Sequence, residues 1–521
     1  MQPTESKPFV QTPILVGIGM VMQREDDARK AVEPLALMEQ AVRQAGDDCG
    51  APALLAEVER IAVPKGRWQY ADPAGAIASA IGAEGATTLL ATVGVLQQTL
   101  IGDACRRIAE GEVGAALVVG GDSGYRILRA RIAGERAPES QQTSEPDVVL
   151  SPHEELRHPA ELRAGMKMPV GLYAIMESAY RKEQGLSVDE HRDRIAALYS
   201  RFSEIAEDNP HAWRRQRLDA AAIRNASDRN PMQAFPYTKL HCSSWNVDQA
   251  SALLFCSVEK ARALGIAASR WIYPLASTES NHMVPVSARA EPQRCAGARI
   301  AGRAALDAAD TCADALDWVE LYSCFPLAVE TYATEIGLSP GRDVTVTGGM
   351  PFAGGPYNNY QLHATCRMVQ KLREGGSSAP GRPTIAALEP RRGLVSCVSG
   401  VLTKQGFGLW STAPGPNGFV HCDCSDEVAR LMPTRPVLEA ATGPGRIVGC
   451  TVLHDGAAPQ VVVLVDVDGG RTVAVSGDPV LAARFEREEM VGAAVHIHEP
   501  GRFRMSTRQD ELPQVRTGAT S

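Results

Sequence analysis

The stretch GVLQQTLIGDACRRIAEGEVGAALVVGG, residues 94–121, predicts a helix followed directly by a buried strand. Its first part repeats apolar residues at helical spacing, namely Leu96, Leu100, Ile101, Ala104, Cys105 and Ile108. The run from Ala115 to Val119 is apolar without alternation, and Gly120 and Gly121 end it. A strand without a polar face lies in a sheet that is covered on both sides, so this stretch predicts an α/β fold.

The same alternation of helix and strand extends on both sides of this stretch. Towards the amino terminus, residues 14–18 predict a buried strand and residues 32–45 a helix. Later in the chain, residues 245–265 predict a long amphipathic helix and residues 271–275 a strand. The pattern repeats from Arg299 to Tyr322, so the second half echoes the first.

Two regions interrupt this alternation. Residues 125–163 are rich in Arg, Glu, Gln, Ser and Pro, which predicts an inserted loop region rather than a sheet strand. Ser187 to Glu190 fits a capping box, and the helix that follows ends at Asn209-Pro210, which predicts a lid or side domain. Beyond Pro416, short apolar runs separated by Asp-Gly and Gly-Gly turns predict strands at 446–452, 461–467, 471–475 and 491–496. We interpret that tail as a small OB-like β domain used for packing or interaction.

Composition narrows the class of protein. The chain has 521 residues, a formal net charge of −8 and 44% hydrophobic residues, which are typical of a multi-domain globular protein. No clustered basic face suggests a nucleic-acid partner, and Trp213 to Arg217 is interpreted as a solvated helix face rather than a site for a ligand's phosphate. No leader or membrane-length apolar run is present, so we expect a cytoplasmic protein that does not bind membranes.

The cysteines carry no metal or disulfide pattern. All 12 are scattered, and most occupy apolar surroundings typical of buried free thiols, so no disulfide is expected. The segment His421 to Cys424 contains two cysteines beside a histidine, but it lacks a second ligand pair at metal-binding spacing. The sequence therefore predicts no metal site.

Six blocks in order carry a family resemblance. They are GEVGAALVVGG (111–121), GLYAIMESAYR (171–181), PYTKLHCSSWNVDQASALLFCS (236–257), VELYSCF (319–325), GGMPFAGGPYNNYQLHA (348–364) and GLVSCVSGVLTK (393–404). Through them the chain resembles the thiolase superfamily, specifically its sterol-carrier-protein-2-thiolase-like branch. The tail resembles the carboxy-terminal extension of a thiolase-like subgroup.

The resemblance implies a layered α/β sandwich of two βαβαβαββ halves. We expect the first half at residues 10–285 with an insertion at about 125–245, the second at 286–415, and the OB-like β domain at 430–510. It also implies a site for coenzyme A thioesters where the halves meet, with no other cofactor. An acyl-CoA ligand, a homodimer, and a partner protein bound through the β domain are the associations it suggests.

The reactive positions of the family are only partly retained. A thiolase needs a thiolate at a helix amino terminus, but counting back from Gly120 places Val95 there. Cys105 lies two to three turns into the same helix, beyond the free backbone N–H groups, and is interpreted as a core thiol. The histidine of the family's Gly-His-Pro turn is replaced by Gly355. Standard thiolysis or Claisen condensation is therefore not expected.

Other residues supply the candidate site. Cys397 aligns with the family's acid/base cysteine, with Ser399 in place of the usual glycine. Tyr322 and Cys324 align with the family's polarising block, and His363 lies in a stretch of the branch type. We predict Cys397, His363 and Tyr322 as catalytic residues. Cys324, Ser399 and Asn359 are predicted to bind substrate.

Three functions remain open from the sequence. The first is an enzyme of the acyltransferase family type, such as a transferase that acts on acyl-CoA, a thioester hydrolase or a decarboxylase. It would use Cys397, His363 and Tyr322 and form no covalent intermediate at position 95. The second is a non-catalytic protein that binds coenzyme A esters or lipid thioesters. The third is a scaffold whose β tail binds a partner enzyme.

Overall fold

The computed structural model describes residues 11–152, 156–376, 390–454, 456 and 458–506. The first half opens with alternating strands and helices: β1 (Pro13–Gln23), α1 (Pro34–Cys49), β2 (Arg60–Pro64), α2 (Pro73–Ile81), β3 (Thr87–Ala91), α3 (Gln97–Ala109) and β4 (Ala115–Ser123). The predicted α3–β4 pair is confirmed, and every residue of β4 is buried. Local sequence sets the ends of these elements, since the Asp72 carboxylate accepts the Gly75 N–H at 2.9 Å and caps α2.

A long insertion separates β4 from the rest of its sheet. It contains α4 (Gly124–Ile132), β5 (Val148–Leu150), α5 (Pro159–Arg163), α6 (Pro169–Glu183), α7 (Val188–Glu207), α8 (Ala220–Arg224), β6 (Met232–Ala234) and β7 (Tyr237–Thr238). The predicted capping box at the start of α7 is confirmed by reciprocal Ser187 and Glu190 hydrogen bonds. The expectation that residues 125–163 hold no sheet strand is wrong, because β5 pairs with β3 in parallel. Three residues are too few to show a strand pattern in a sequence.

The predicted helix at 245–265 is also wrong. Its residues form strand β8 (Asp248–Ser257) and only a short helix, α9 (Val258–Ala263). β8 lies between β1 and β4 and is buried along its whole length, in a sheet ordered β1-β8-β4-β2-β3-β5. A strand covered on both faces has no alternation, so its apolar run also fits one side of a helix.

The second half repeats the plan. It contains β9 (Tyr273–Ser280), α10 (Ala296–Ala308), β10 (Trp318–Glu320), α11 (Pro326–Ile336), α12 (Tyr360–Glu374), β11 (Arg392–Ser399), β12 (Lys404–Ser411), β13 (Val420–Asp423) and α13 (Ser425–Leu431). Its sheet is ordered β10-β11-β12-β9-β13. Residues 343–347 stand where the first half has β3, but they form no regular strand. The buried Glu320 carboxylate holds them instead, accepting the Val346 and Thr347 N–H groups at 2.6 and 3.0 Å.

The tail folds into a closed β unit. Its elements are β14 (Gly443–Leu453), β15 (Gln460–Val467), β16 (Gly470–Ser476), α14 (Pro479–Phe485), β17 (Ala494–Glu499) and β18 (Arg502–Met505). The strands pair in the order β14-β15-β16-β18-β17 and return to β14, which closes the sheet into a ring. The four predicted strands are present, and β18 was not anticipated. The OB-like assignment and the domain boundaries remain predictions.

This β unit is continuous with the insertion. β6 and β7 extend its sheet through the pairing of Ala234 with Leu453. β14 also packs on α6, where the Cys450 N–H donates to the Ser178 Oγ at 2.8 Å. Among the described residues, no helix has the length and apolar character needed to cross a membrane.

Candidate functional site

A cavity of about 430 Å³ lies where the two halves and the insertion meet. The loop after β10, the turn after β11, the loop before α12 and the start of α6 all contribute to its wall. Most of the wall is apolar, and the described side chains include Met166, Met168, Val170, Tyr173, Trp245, Tyr322, Cys324, Phe325, Met350, Val401 and Leu453. Such a mixture of an apolar surface with a few polar groups is typical of a small-molecule site.

Position 95 does not face this cavity. Val93 and Gly94 line it, whereas Val95 lines a separate cavity beside Lys404 and is 8% exposed. The Gly94 carbonyl accepts the Lys404 Nζ at 2.9 Å, which fixes the chain just before α3. The side chain at position 95, where the sequence predicts no nucleophile, therefore lies outside this cavity.

Cys397 lies on β11 at the amino terminus of α3. Its sulfur accepts backbone N–H groups of Gln97 and Gln98, and its thiol donates to the Gln97 Oε1 at 3.6 Å. Burial nevertheless raises the pKa of Cys397 to about 12, against the opposing effect of those N–H groups. The thiol is therefore protonated near neutral pH, and it is fully buried behind the cavity wall.

Tyr322 and Cys324 do line the cavity. The Tyr322 N–H donates to the Ser396 Oγ at 2.8 Å, and its ring meets Tyr360 edge-on at 5.6 Å. Among the described residues, the Tyr322 hydroxyl has no hydrogen-bond partner. Burial raises the pKa of Tyr322 well above its usual value, so the phenol is a neutral donor at physiological pH.

The Cys324 thiol is also held in its neutral form. Burial raises the pKa of Cys324 to about 12, although a hydrogen bond from the Tyr173 hydroxyl and the Phe325 N–H act in the other direction. Ser399 lines the cavity as well, and its Oγ donates to the Gly94 carbonyl at 3.4 Å. The cavity wall thus offers neutral hydroxyl and thiol groups.

His363 and Asn359 lie away from the cavity wall. α12 begins at Tyr360, but His363 is 2% exposed, and burial lowers its pKa to about 3. Asn359 packs against β4, since a Cβ atom on Gly120 would lie 2.6 Å from its Oδ1. Its neighbour Asn358 reaches the cavity instead. The structure therefore brings together Tyr322, Cys324 and Ser399, and leaves Cys397, His363 and Asn359 behind the wall.

Gly355, at the position of the family's histidine, lies on the cavity wall without room for a side chain. A Cβ atom there would lie 2.1 Å from the Ser243 Oγ and 3.0 Å from the Met350 Cε. Its N–H donates to the Ser244 carbonyl at 2.9 Å, which holds the loop in this position. A side chain at position 355 would therefore require Ser243 or Met350 to move.

Several cavity residues were missed from the sequence. Tyr173 lies inside a block quoted for the family resemblance, so its position could have been inferred from that alignment. Cys242 likewise lies in such a block, and burial raises the pKa of its thiol to about 12. Leu453 comes from the β tail, and no local pattern signals that it reaches the cavity.

A second buried polar cluster lies outside the cavity. Glu177, His191 and Glu330 each place one potential ligand atom within 4.8 Å of the others. The His191 Nε2 is 2.6 Å from the Glu177 Oε1, and the Arg194 Nε is 2.6 Å from the Glu330 Oε1. Burial and the nearby Glu177 raise the pKa of Glu330 to about 7. Hydrogen bonds and the Arg194 cation thus offset part of the charge in this cluster.

Comparison with solved structures finds the same fold in other proteins. A monomeric SCP2-thiolase-like protein type 1 from Mycobacterium smegmatis superposes with a TM-score of 0.77 at 25% identity, covering 95% of this chain and 99% of that one. The chain shares the thiolase fold and is similar to SCP2-thiolase-like proteins over nearly its whole length. No protein-family model and no curated protein matches this thiolase-like chain.

Two further structures share the fold alone. The Ltp2-ChsH2(DUF35) aldolase has a TM-score of 0.56 at 17% identity, covering 78% of this chain and 99% of that one. The dimeric peroxisomal thiolase of Saccharomyces cerevisiae has a TM-score of 0.52 at 16% identity, covering 78% of this thiolase-like chain and 98% of that one. Both cover less of the chain than the mycobacterial protein does.

Proposed function

We propose that this thiolase-like protein binds acyl thioesters of coenzyme A, with the acyl group in the cavity, and forms no acyl-cysteine. The observation that carries the proposal is Tyr322, which lines a mainly apolar cavity and whose hydroxyl has no hydrogen-bond partner among the described residues. A thioester combines a carbonyl acceptor with an apolar chain, and it therefore matches a mainly apolar wall that carries the Tyr322 donor.

The thiols near the cavity support binding without acyl transfer. A nucleophilic cysteine must be a thiolate, and a pKa of about 12 for Cys397 and Cys324 leaves roughly one thiol in a hundred thousand ionised at pH 7. Val95 replaces the family's nucleophile and faces another cavity. Among the described wall residues, no histidine or carboxylate stands ready to take a proton from either thiol.

A second candidate function is a reaction on the bound thioester without a covalent intermediate. The neutral Tyr322 phenol favours this candidate, because a donor to the thioester carbonyl also stabilises negative charge that develops on that oxygen. An aldolase of the same fold suggests cleavage of a carbon–carbon bond as one reaction class. The scaffold function receives less support, since β14 is engaged within the chain by α6 and β6.

Calorimetry and mass spectrometry together test the proposal. We expect octanoyl-CoA to bind more tightly than acetyl-CoA, and acetyl-CoA more tightly than free coenzyme A, because each buried methylene contributes about 0.8 kcal/mol. The intact mass of the protein should remain unchanged after incubation with acyl-CoA. Absence of binding by any acyl-CoA would contradict the proposal. An acyl adduct on a cysteine would contradict the statement that no acyl-cysteine forms.

Turnover separates the two candidate functions. Incubation of the protein with a 3-hydroxyacyl-CoA, followed by chromatography of the thioester products, detects hydrolysis and carbon–carbon cleavage in one measurement. Unchanged substrate supports a binding role, whereas a product that requires Tyr322 supports the enzymatic candidate.

A further inference from the structure

Leu453 brings the β tail to the wall of the cavity. It is the last residue of β14 and is 5% exposed. Among the described wall residues, it is the one that comes from the closed β unit of β14 to β18. The tail therefore contributes to the site rather than only lying beside it.

Strand pairing fixes this side chain in place. β14 ends against β6, where Leu453 pairs with Ala234 and the His454 N–H donates to the Gln233 carbonyl at 3.0 Å. Adjacent residues of a strand point to opposite faces. Val452 accordingly belongs to the core inside the β ring, and Leu453 belongs to the core shared with Tyr173.

Two glycines leave room for the Leu453 side chain. A Cβ atom on Gly171 would lie 2.9 Å from the Leu453 Cδ2, and one on Gly165 would lie 3.6 Å from its Cδ1. Gly171 is inside α6, where glycine is a poor helix former compared with alanine. A larger residue at position 171 would require the end of the Leu453 side chain to move, so α6 and β14 pack closely at this wall.

We infer that Leu453 determines which acyl groups the cavity accepts, because its side chain forms part of the wall that also contains Tyr322 and Cys324. The inference rests on the proposed binding of acyl thioesters. With roughly 30 Å³ for a water-sized group, the volume of about 430 Å³ holds on the order of a dozen methylene-sized groups. The ligand class is a thioester with an apolar acyl group of medium length, and longer chains meet Leu453.

The test compares chain-length profiles of Leu453 variants. Dissociation constants for octanoyl-CoA and palmitoyl-CoA are measured by calorimetry on the full chain. Leu453→Ala should lower the ratio of palmitoyl to octanoyl dissociation constants by roughly ten-fold or more, since each newly buried methylene is worth about four-fold in affinity. Leu453→Phe should raise that ratio.

Val452→Ala is the matched control. This substitution shortens the buried side chain next to Leu453 on the same strand, on the face that points into the β ring. We expect it to leave the ratio unchanged. If Val452→Ala changed the ratio as much as Leu453→Ala does, the inference would be contradicted, because loosening of the β unit alone would then explain the change in chain-length preference.

Failure of the proposed function and failure of the inference about Leu453 give different results. If the wild-type protein binds no acyl-CoA, the proposed function fails. If it binds acyl-CoA but Leu453→Ala and Leu453→Phe keep the wild-type ratio, the proposed function stands and the inference fails. Should Leu453→Ala not fold by circular dichroism, Leu453→Val makes the smaller change, and a ratio that moves in the same direction is then required.

Discussion

Replacement of Tyr322 by phenylalanine removes one hydroxyl from a residue of the cavity wall. Because this hydroxyl has no partner among the described residues, the free protein should lose no hydrogen bond, and its free energy of unfolding should change by less than about 0.5 kcal/mol. The bound thioester should lose one neutral hydrogen bond, which contributes about 0.5 to 1.5 kcal/mol. We therefore expect the dissociation constant of octanoyl-CoA to rise by about two-fold to thirteen-fold.

Calorimetry of octanoyl-CoA binding by the wild type, Tyr322→Phe and Tyr273→Phe measures this difference. Tyr273 is a matched control, since it is a partly exposed tyrosine that does not line the cavity. The effect of Tyr322→Phe should be the same at pH 6 and pH 8, because burial keeps the pKa of Tyr322 well above this range. An unchanged dissociation constant in Tyr322→Phe, or an equal change in Tyr273→Phe, would refute the placement of the carbonyl at Tyr322.

Three other predictions test the site and its surroundings. Val95→Cys should gain no acyl group from acetyl-CoA by intact mass spectrometry, because position 95 faces a different cavity; a stoichiometric adduct would contradict this. Gly355→Ala should lower the free energy of unfolding by about 1 to 3 kcal/mol in denaturant titrations, because its Cβ would meet the Ser243 Oγ at 2.1 Å, and adding Ser243→Ala should recover part of the loss. The raised pKa of Glu330, about 7 in the folded state, stabilises the protein at low pH, and that contribution is lost as the pH rises from about 4.5 through 7. Glu330→Gln should remove up to about 3 kcal/mol of this pH dependence in denaturant titrations at pH 5 and pH 8, and an unchanged dependence would contradict the assignment.

The fold was largely predictable because periodicity and ordered blocks agree along most of the chain. The α3–β4 pair follows from helical spacing and an apolar run, which are local properties. The error at β8 has a physical origin, since a strand buried on both faces shows no alternation. β5 escaped detection because it is short and gains its stability from β3, which lies far away in sequence.

The sequence predicted Tyr322 and Cys324 through the family resemblance rather than through a local pattern. Both residues line the cavity because they follow β10 closely, at the junction of the two halves. The direction in which His363 points depends on the rotation of α12 about its own axis. A sequence pattern does not fix that rotation to within one residue. Leu453 reaches the cavity through the pairing of β14 with β6, and a contact over such a separation leaves no trace in local periodicity.

The shared sheet of β6 and β14 also imposes an order on biosynthesis. Roughly 220 residues separate Ala234 from Leu453, and a ribosome adding about 5 to 20 residues per second needs about 10 to 45 s to cross that interval. During this time the nascent insertion has an unpaired strand edge, and the apolar surface around Tyr173 lacks its cover. Chaperones that shield such surfaces should therefore matter for the yield of this protein, whose ligand cavity is among the last features completed by the growing chain.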